Sequence, residues 1–367
     1  MEGHRQEVLA LNCGSSSLKY ALFRDEEVLA RGAVDVGAHG APDHASAVHA
    51  VFDGLAREPG AVGHRIVHGG AEHTQPERVS PALLASLERI VPLAPLHLPP
   101  ELRAIEAVSA RFGDLPQVVC FDTAFHRTLP ERARRFALPS PLFDAGIRRY
   151  GFHGLSYEYV LESLGPKTLG RAVLAHLGNG ASMAAVLEGR CIDTTMGFTP
   201  AGGLVMGTRS GDLDPGLMVH LLERRGYDAP ALDRLVNHEA GLLALSGSTS
   251  DMQSLLRDSA TDARAALAVD VFCYEARKRV GAFAAALGGL DALVFTGGIG
   301  EHAAEVRRAI CEGLEHLGVT LDETRNLAGE AIISVDARNA TVHVVRTDEE
   351  RMIARHTRRL LGLAQAT

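Results

Sequence analysis

Two stretches of this chain, about 165 residues apart, carry the same pattern: VLALNCGSSSLKYALFRDEEVLARG from Val8 and AVLAHLGNGASMAAVLEGRCIDTT from Ala172. Each reads as an apolar strand, a turn of Gly, Ser or Asn, a second strand and a charged turn, which is the mark of an internal duplication. The length agrees, since 367 residues exceed one ordinary core and fit two domains of roughly 150 to 200. A turn built from Gly and small hydroxyl residues presents backbone N–H groups to an anion. Two such turns facing each other would grip a polyphosphate from both sides, in a cleft between the domains.

The segments between the repeats read as α/β. Ser80-Pro81 followed by Leu83, Leu84, Leu87, Ile90 and Val91 predicts a helix with an N-cap and a proline at its first position. Pro100 opens a second helical pattern through Leu102, Ile105 and Val108, and QVVCFD from Gln117 predicts a buried strand ending at a carboxylate. Ala263 to Leu287 predicts a long helix, ALVFT from Ala292 a buried strand, and GGIGE from Gly297 a turn entering a helix that runs through Leu317. TVHVVRT predicts a strand, and Asp348 to Leu361 a last helix that returns to pack on one of the domains.

Composition narrows the function. A net charge of −8 argues against a nucleic-acid partner, which would need clustered Lys and Arg. The five cysteines form no CxxC pair, and no HExxH occurs among the 17 histidines, so neither a disulfide framework nor a zinc site is expected. No apolar run reaches the length of a membrane span, and the N-terminal MEGHRQEVLALN is no signal peptide, so a cytoplasmic protein with no membrane contact is expected.

Seven constellations could carry chemistry. NCGSSSLK, Asn12 to Lys19, offers hydroxyl and N–H donors with one cation to a phosphate, or is a polar hairpin turn. GHRIVHGG places Arg65 at a strand end, where a planar guanidinium suits carboxylate or phosphate. CFDTAFH places Asp122 at a strand end as base, metal partner or cap. RRYGFHGLSYEYV holds His153 between glycines, catalytic or merely structural. GLVMGTRSGDLDPG sets Arg209, Asp212 and Asp214 on a glycine-rich loop. GGIGEH and RTDEER complete the set, the latter with Asp348 and Glu349 as caps or magnesium ligands. Neither a GxxxxGK[ST] loop nor a GxGxxG turn is present, which removes the two commonest nucleotide folds.

Taken together, NCGSSSLK, GHRIVHGG, LAPLHLPP, FDTAFH, YGFHGLS, HLGNGAS, MGFTPAGGLVMGTRSGDLDPG, FTGGIGE and RTDEE resemble the acetate kinase family from one end of the chain to the other. The resemblance implies two duplicated actin-like ATPase (ribonuclease H-like) α/β domains, here expected at 1–148 plus 351–367 and at 149–350. The two close on a nucleotide, in a homodimer. It implies reversible transfer of the ATP γ-phosphoryl group to acetate, with Mg²⁺ or Mn²⁺. On the matching positions, Asn12 and Glu349 are the metal residues, and Ser15, Ser17 and Lys19 the first phosphate-side loop. Asp122 is the acidic residue of the attack step, Arg65 and Arg209 hold carboxylate and phosphoryl group, and His153 steadies the group in flight. His176, Leu177, Gly178, Asn179 and Gly180 form the second phosphate-side turn. Asp251, Met252, Gln253 and Gly298, Ile299, Gly300, Glu301, His302 lie on the nucleoside side. Val67, Leu96, Phe152 and Pro200 line the methyl pocket.

The chain departs from the family pattern at Gln253, usually Arg, at His302 and Leu98, usually Asn, and at Leu155 and Tyr157, usually Thr and His; it is also somewhat shorter. Those changes keep two rivals in play: a kinase of the same family using pyrophosphate, propionate or butyrate, and a non-catalytic nucleotide-binding sensor. Retention of Arg65, Asp122, His153 and Arg209 speaks against the sensor, because a pure binder needs no transition-state groups.

Overall fold

The computed structural model describes residues 7–14, 17–37, 40–165, 168–335 and 340–363. The chain divides into two compact units: Met1–Arg127, Phe152–Tyr159 and Asp348–Thr367 form the first, Thr128–Gly151 and Val160–Thr347 the second.

The first unit is built on a six-stranded sheet of β1 (Glu7–Cys13), β2 (Ser17–Arg24), β3 (Glu27–Asp35), β4 (Ala61–Ile66), β5 (Glu77–Arg78) and β6 (Gln117–Phe121), in the order β3-β2-β1-β4-β6-β5. β1, β2 and β3 form an antiparallel meander, and β4 joins β1 and β6 in parallel. β1 is buried on both faces, as a strand covered by helices must be. Leu9, Leu11 and Cys13 pack with Val48, Val51, Ala104 and Val108 from the helices His44–Gly54 and Leu98–Arg111. Val8 and Ala10, pointing the other way, pack with Met352, Ile353 and Ala354 of the helix Glu349–Leu361. Gly63 on β4 lets that helix come close, since a Cβ there would stand 2.3 Å from Thr357 Oγ1 and 2.5 Å from a methyl of Ile353.

The second unit repeats this topology. Its five strands are β7 (Arg171–Leu177), β8 (Ala181–Leu187), β9 (Arg190–Thr194), β10 (Ala292–Thr296) and β11 (Thr341–Val344), in the order β11-β10-β7-β8-β9. Again a three-stranded meander comes first, and β10 then joins the first strand in parallel, Ala292 opposite Ala172 through Thr296 opposite His176. The helix Ala263–Leu287 begins at the Asp262 cap and ends at Gly288 in the left-handed region, φ 71°. The structure divides the single helix expected after Gly297 into Gly297–His302, Ala304–Cys311 and a 3₁₀ turn at Glu315–Leu317. Ala303, at φ −98° and ψ 90°, makes the first break.

Candidate active site

Parallel strands end on the same edge of a sheet, and β1, β4 and β6 bring Asn12, Arg65 and Asp122 to one edge of the first unit. Arg65 lies opposite Cys120 in register, and the Asp122 N–H donates to Ile66 O at 3.0 Å, so backbone pairing fixes both side chains. Arg65 Nε and Nη2 donate to Asp122 Oδ2 at 3.0 and 2.5 Å. Its Nη1 donates to Cys13 O at 3.2 Å and to Glu101 Oε1 at 3.3 Å. Burial works against the guanidinium charge, but Asp122, Glu101 and Glu349 more than offset it and raise the proton affinity of Arg65.

Beside this cluster, Asn12 Nδ2 donates to Glu349 Oε2 and to Glu350 Oε1, each at 3.0 Å. Lys19 is the cross-strand neighbour of Asn12. Burial raises the proton affinity of Glu349; Arg65 pulls it down, and the neighbouring Glu350 adds to the rise. Asp348, by contrast, is the N-cap of its helix, accepting from Arg351 N–H at 3.1 Å. Two carboxylates sharing one amide are hard oxygen donors crowded at close quarters, which fits a divalent cation such as Mg²⁺. Among the described residues no three His, Cys, Asp or Glu side chains converge on one point. The set therefore suits an ion that keeps most of its waters and takes one or two carboxylates beside substrate phosphate.

His153 reaches the same edge through a tight approach. It sits in the left-handed region at φ 60°, uncommon for a residue with a side chain. Gly154 N–H then donates to Asp122 O at 3.0 Å, where a Cβ would come within 2.1 Å of that oxygen. Phe152 and Val67 are buried, and the Phe152 ring meets His68 edge-on with centroids 5.5 Å apart. Leu96, in contrast, is exposed. Leu155 and Tyr157, where the sequence departs from the family pattern, are core residues, Tyr157 lying against Phe125 and His126. Ser17 opens β2, its carbonyl accepting from Gly14 N–H at 2.8 Å, while Ser15 lies outside the described residues.

In the second unit, His176 and Leu177 end β7, and Gly178, Asn179 and Gly180 form the turn to β8, Gly178 N–H donating to Gly180 O at 3.1 Å. Asn179 O accepts from Gly207 N–H at 3.0 Å, which ties this turn to the Arg209 loop. Within that loop Asp212 accepts from Gly203 N–H at 2.7 Å and pairs with Arg279, and Asp214 caps the helix Pro215–Arg224. Both acids thus have local structural partners, while Arg209 Nη1 donates to Pro200 O at 3.0 Å. Asp251 caps the helix Met252–Asp258 by accepting from Ser254 N–H at 2.9 Å; Met252 is buried and Gln253 exposed. Gly297 to His302 form a helical turn in which Glu301 Oε1 accepts from Gly297 N–H at 3.0 Å and Thr347 N–H at 3.1 Å. Glu301 is therefore a brace, while Gly298 and His302 are exposed, Ile299 is half-buried and Gly300 is buried.

Sequence reading passes over two residues that the structure brings to these sites. Glu101 touches Arg65, and Arg307, fully buried, donates through Nη1 to Gly300 O at 3.0 Å and Glu301 O at 2.9 Å. The available signal is the same for both: a charged residue falling on the buried stripe of an amphipathic helix, Glu101 among Leu98, Leu102 and Ile105, and Arg307 among Val306, Ile310 and Cys311. A hollow of about 510 Å³ lined by Arg325, Glu330, Ile332 and Thr341 contains none of these residues.

The sheet order common to both units is that of an actin-like ATPase fold, and a partly buried arginine held between carboxylates beside hard oxygen donors suits phosphoryl transfer. The Acetokinase family profile matches residues 36–355. An acetate kinase of Rhodopseudomonas palustris is 44% identical over 396 residues, covering 96% of this chain and 98% of that protein. The crystal structure of Porphyromonas gingivalis acetate kinase superposes with a TM-score of 0.87 at 39% identity, over 97% of this chain and all of that one. A propionate kinase from Francisella tularensis superposes with a TM-score of 0.90 at 35% identity, over 96% and 98%. The chain belongs to the acetokinase family, and is an enzyme that transfers a phosphoryl group to a carboxyl acceptor.

Proposed function

We propose that this chain catalyses the reversible transfer of the γ-phosphoryl group of ATP to acetate, giving acetyl phosphate and ADP by direct in-line displacement. The observation that carries this reading is the partly buried Arg65, held by Asp122 and Glu101 at a sheet edge beside the Asn12–Glu349–Glu350 oxygen set. Arg65 binds the acceptor carboxylate. Acetate is already ionised at neutral pH, so attack requires no proton to be removed, and Asp122 serves by aligning the guanidinium. His153 and Arg209 hold the phosphoryl oxygens, on which negative charge spreads in a loose transition state. Ser17, Lys19 and the His176–Gly180 turn contact phosphate, and Asp251 to Gln253 with Gly298 to His302 contact the nucleoside. Asn12 and Glu349, with Glu350 alongside, hold Mg²⁺ or Mn²⁺; that ion, when bound, neutralises charge on the nucleotide phosphates.

Val67, Leu96, Phe152 and Pro200 receive the methyl group. A pocket of this kind separates acids that differ by one methylene by only about 1 to 3 kcal/mol. Propionate is accordingly the second reading, favoured by the likeness to the Francisella tularensis propionate kinase. We further place the enzyme in the cytoplasm, a reading supported by five buried thiols and no disulfide among the described cysteines, and take it as a homodimer from the family resemblance alone. No described helix is long and apolar enough to cross a membrane. The test is initial rates with acetate, propionate and butyrate against ATP, GTP and pyrophosphate in the presence of Mg²⁺. Acetate with ATP is expected to have the highest kcat/KM, with propionate about tenfold or more lower. A preference for pyrophosphate or butyrate would overturn the substrate assignment, and no turnover with any pair would overturn the enzyme.

A further inference from the structure

Glu101 stands in the first turn of the helix Leu98–Arg111, where Pro99 and Pro100 preset the backbone at positions whose N–H groups have no helical partner. Its side chain enters the protein rather than water, and the residue is only 2% exposed. The two carboxylate oxygens divide their work: Oε2 accepts from Val67 N–H at 2.9 Å, and Oε1 from Arg65 Nη1 at 3.3 Å. One side chain thus ties the guanidinium to the backbone of a residue assigned to the acyl pocket, two positions further along the chain.

This contact completes the fixing of Arg65. Cys13 O on β1 takes Nη1, Asp122 beyond β6 takes Nε and Nη2, and Glu101 takes Nη1 from the helix side. A guanidinium gripped from three elements cannot rotate, and the one Nη2 hydrogen left over is aimed in a fixed direction, from which a charge-assisted bond to a carboxylate gains. The grip carries an electrostatic cost. Burial pushes the Glu101 carboxyl up, the Arg65 guanidinium and the Val67 N–H pull it back toward the ionised form, and Asp122 pushes it further up. An amide could satisfy Val67 without that cost, so the carboxylate matters for what it does to the arginine.

We propose that Glu101 is a positioning residue for the carboxylate acceptor, acting through Arg65 by locking its guanidinium plane against the acyl pocket. This rests on the reading that Arg65 binds the acceptor. In Glu101→Gln the amide oxygen can still accept from Val67, while its NH₂ faces Arg65 Nη1, donor against donor.

The test is steady-state kinetics of E101Q, E101D, R65K and the E101Q/R65K pair, with KM for acetate and for ATP measured separately and thermal melting as the check on folding. E101Q is expected to raise KM for acetate at least about tenfold and leave KM for ATP within about twofold. E101D, which keeps the charge on a shorter arm, should recover part of the loss. The double variant should be no worse than about R65K alone, since both changes act through one guanidinium. If R65K raises KM for acetate and E101Q does not, Glu101 has no positioning role and the Arg65 reading survives. If R65K also leaves it unchanged, the Arg65 reading itself falls. Equal loss of both KM values in E101Q, with a lowered melting point that E101D restores, would reduce Glu101 to a structural residue.

Discussion

His64 and His126 are held without charge inside the first unit. His64 Nε2 lies 2.8 Å from Gln117 Oε1, and His126 Nε2 lies 3.0 Å from Phe152 O. Burial brings each down to about 4, against the raising effect of those partners and, for His126, of Glu158. In the unfolded chain an imidazole takes up its proton near pH 6.5. Between that value and 4 the unfolded state binds more protons, so the stability contributed by the neutral rings is full above pH 6.5 and lost as pH falls toward 4. The loss should reach about 3 kcal/mol for each histidine. Urea unfolding at pH 7 and pH 4.5 is expected to show a lower midpoint in acid, and His64→Gln should flatten the dependence; a midpoint independent of pH in both proteins would show that the rings are charged in the fold. At this scale the sequence reads unevenly. Arg65, Asp122 and His153 stand out because they sit at strand ends or between glycines. Glu101 shows only as a charge on the buried stripe of its helix, and that pattern does not say which strand residue it meets. Asp212 and Asp214 show the reverse: a charged glycine-rich loop invites a functional reading, yet both acids serve the loop and the helix after it.

At the scale of elements, local signals are largely sufficient where a cap and a period coincide. The helix Pro81–Arg89 begins at Ser80, whose hydroxyl accepts from Leu83 N–H, and the helix Ala263–Leu287 begins and ends at residues whose types announce it. The break at Ala303 has no such announcement. It lies where Arg307 draws in the carbonyls of Gly300 and Glu301 and is itself braced by Asn326. Close packing of helix on sheet is likewise a tertiary fact, and Gly63 is its clearest instance. Gly63→Ala should push the helix Glu349–Leu361 away from β4 and cost about 1 to 3 kcal/mol, read as a lower urea midpoint. An unchanged midpoint would mean that the helix yields freely and that its contact with β4 is loose.

For the whole molecule, the repeat of one sheet topology in both units is legible because a strand-turn-strand pattern survives in the sequence twice. The surface that would join two copies is not, since nothing in a single chain's periodicity says which apolar face is left uncovered. The helices Pro215–Arg224 and Ala229–His238 bury none of their residues, and Leu217, Val219 and Leu222 are 41%, 52% and 46% exposed. If the homodimer forms through this face, Leu217→Glu with Leu222→Glu should convert the sedimentation profile from dimer to monomer at micromolar concentration. A variant that remains dimeric would exclude the face, and a monomeric parent protein would remove the dimer. The path of the chain carries a last consequence. The first unit opens the polypeptide, yet the helix that covers Val8 and Ala10 and brings Glu349 to Asn12 is reached only after the second unit has been made. During synthesis the first sheet therefore waits with one face bare, and the oxygen set beside Asn12 closes last. A chain that stops before Asp348 lacks Glu349 and Glu350, the partners of Asn12, together with the helix that covers Val8 and Ala10.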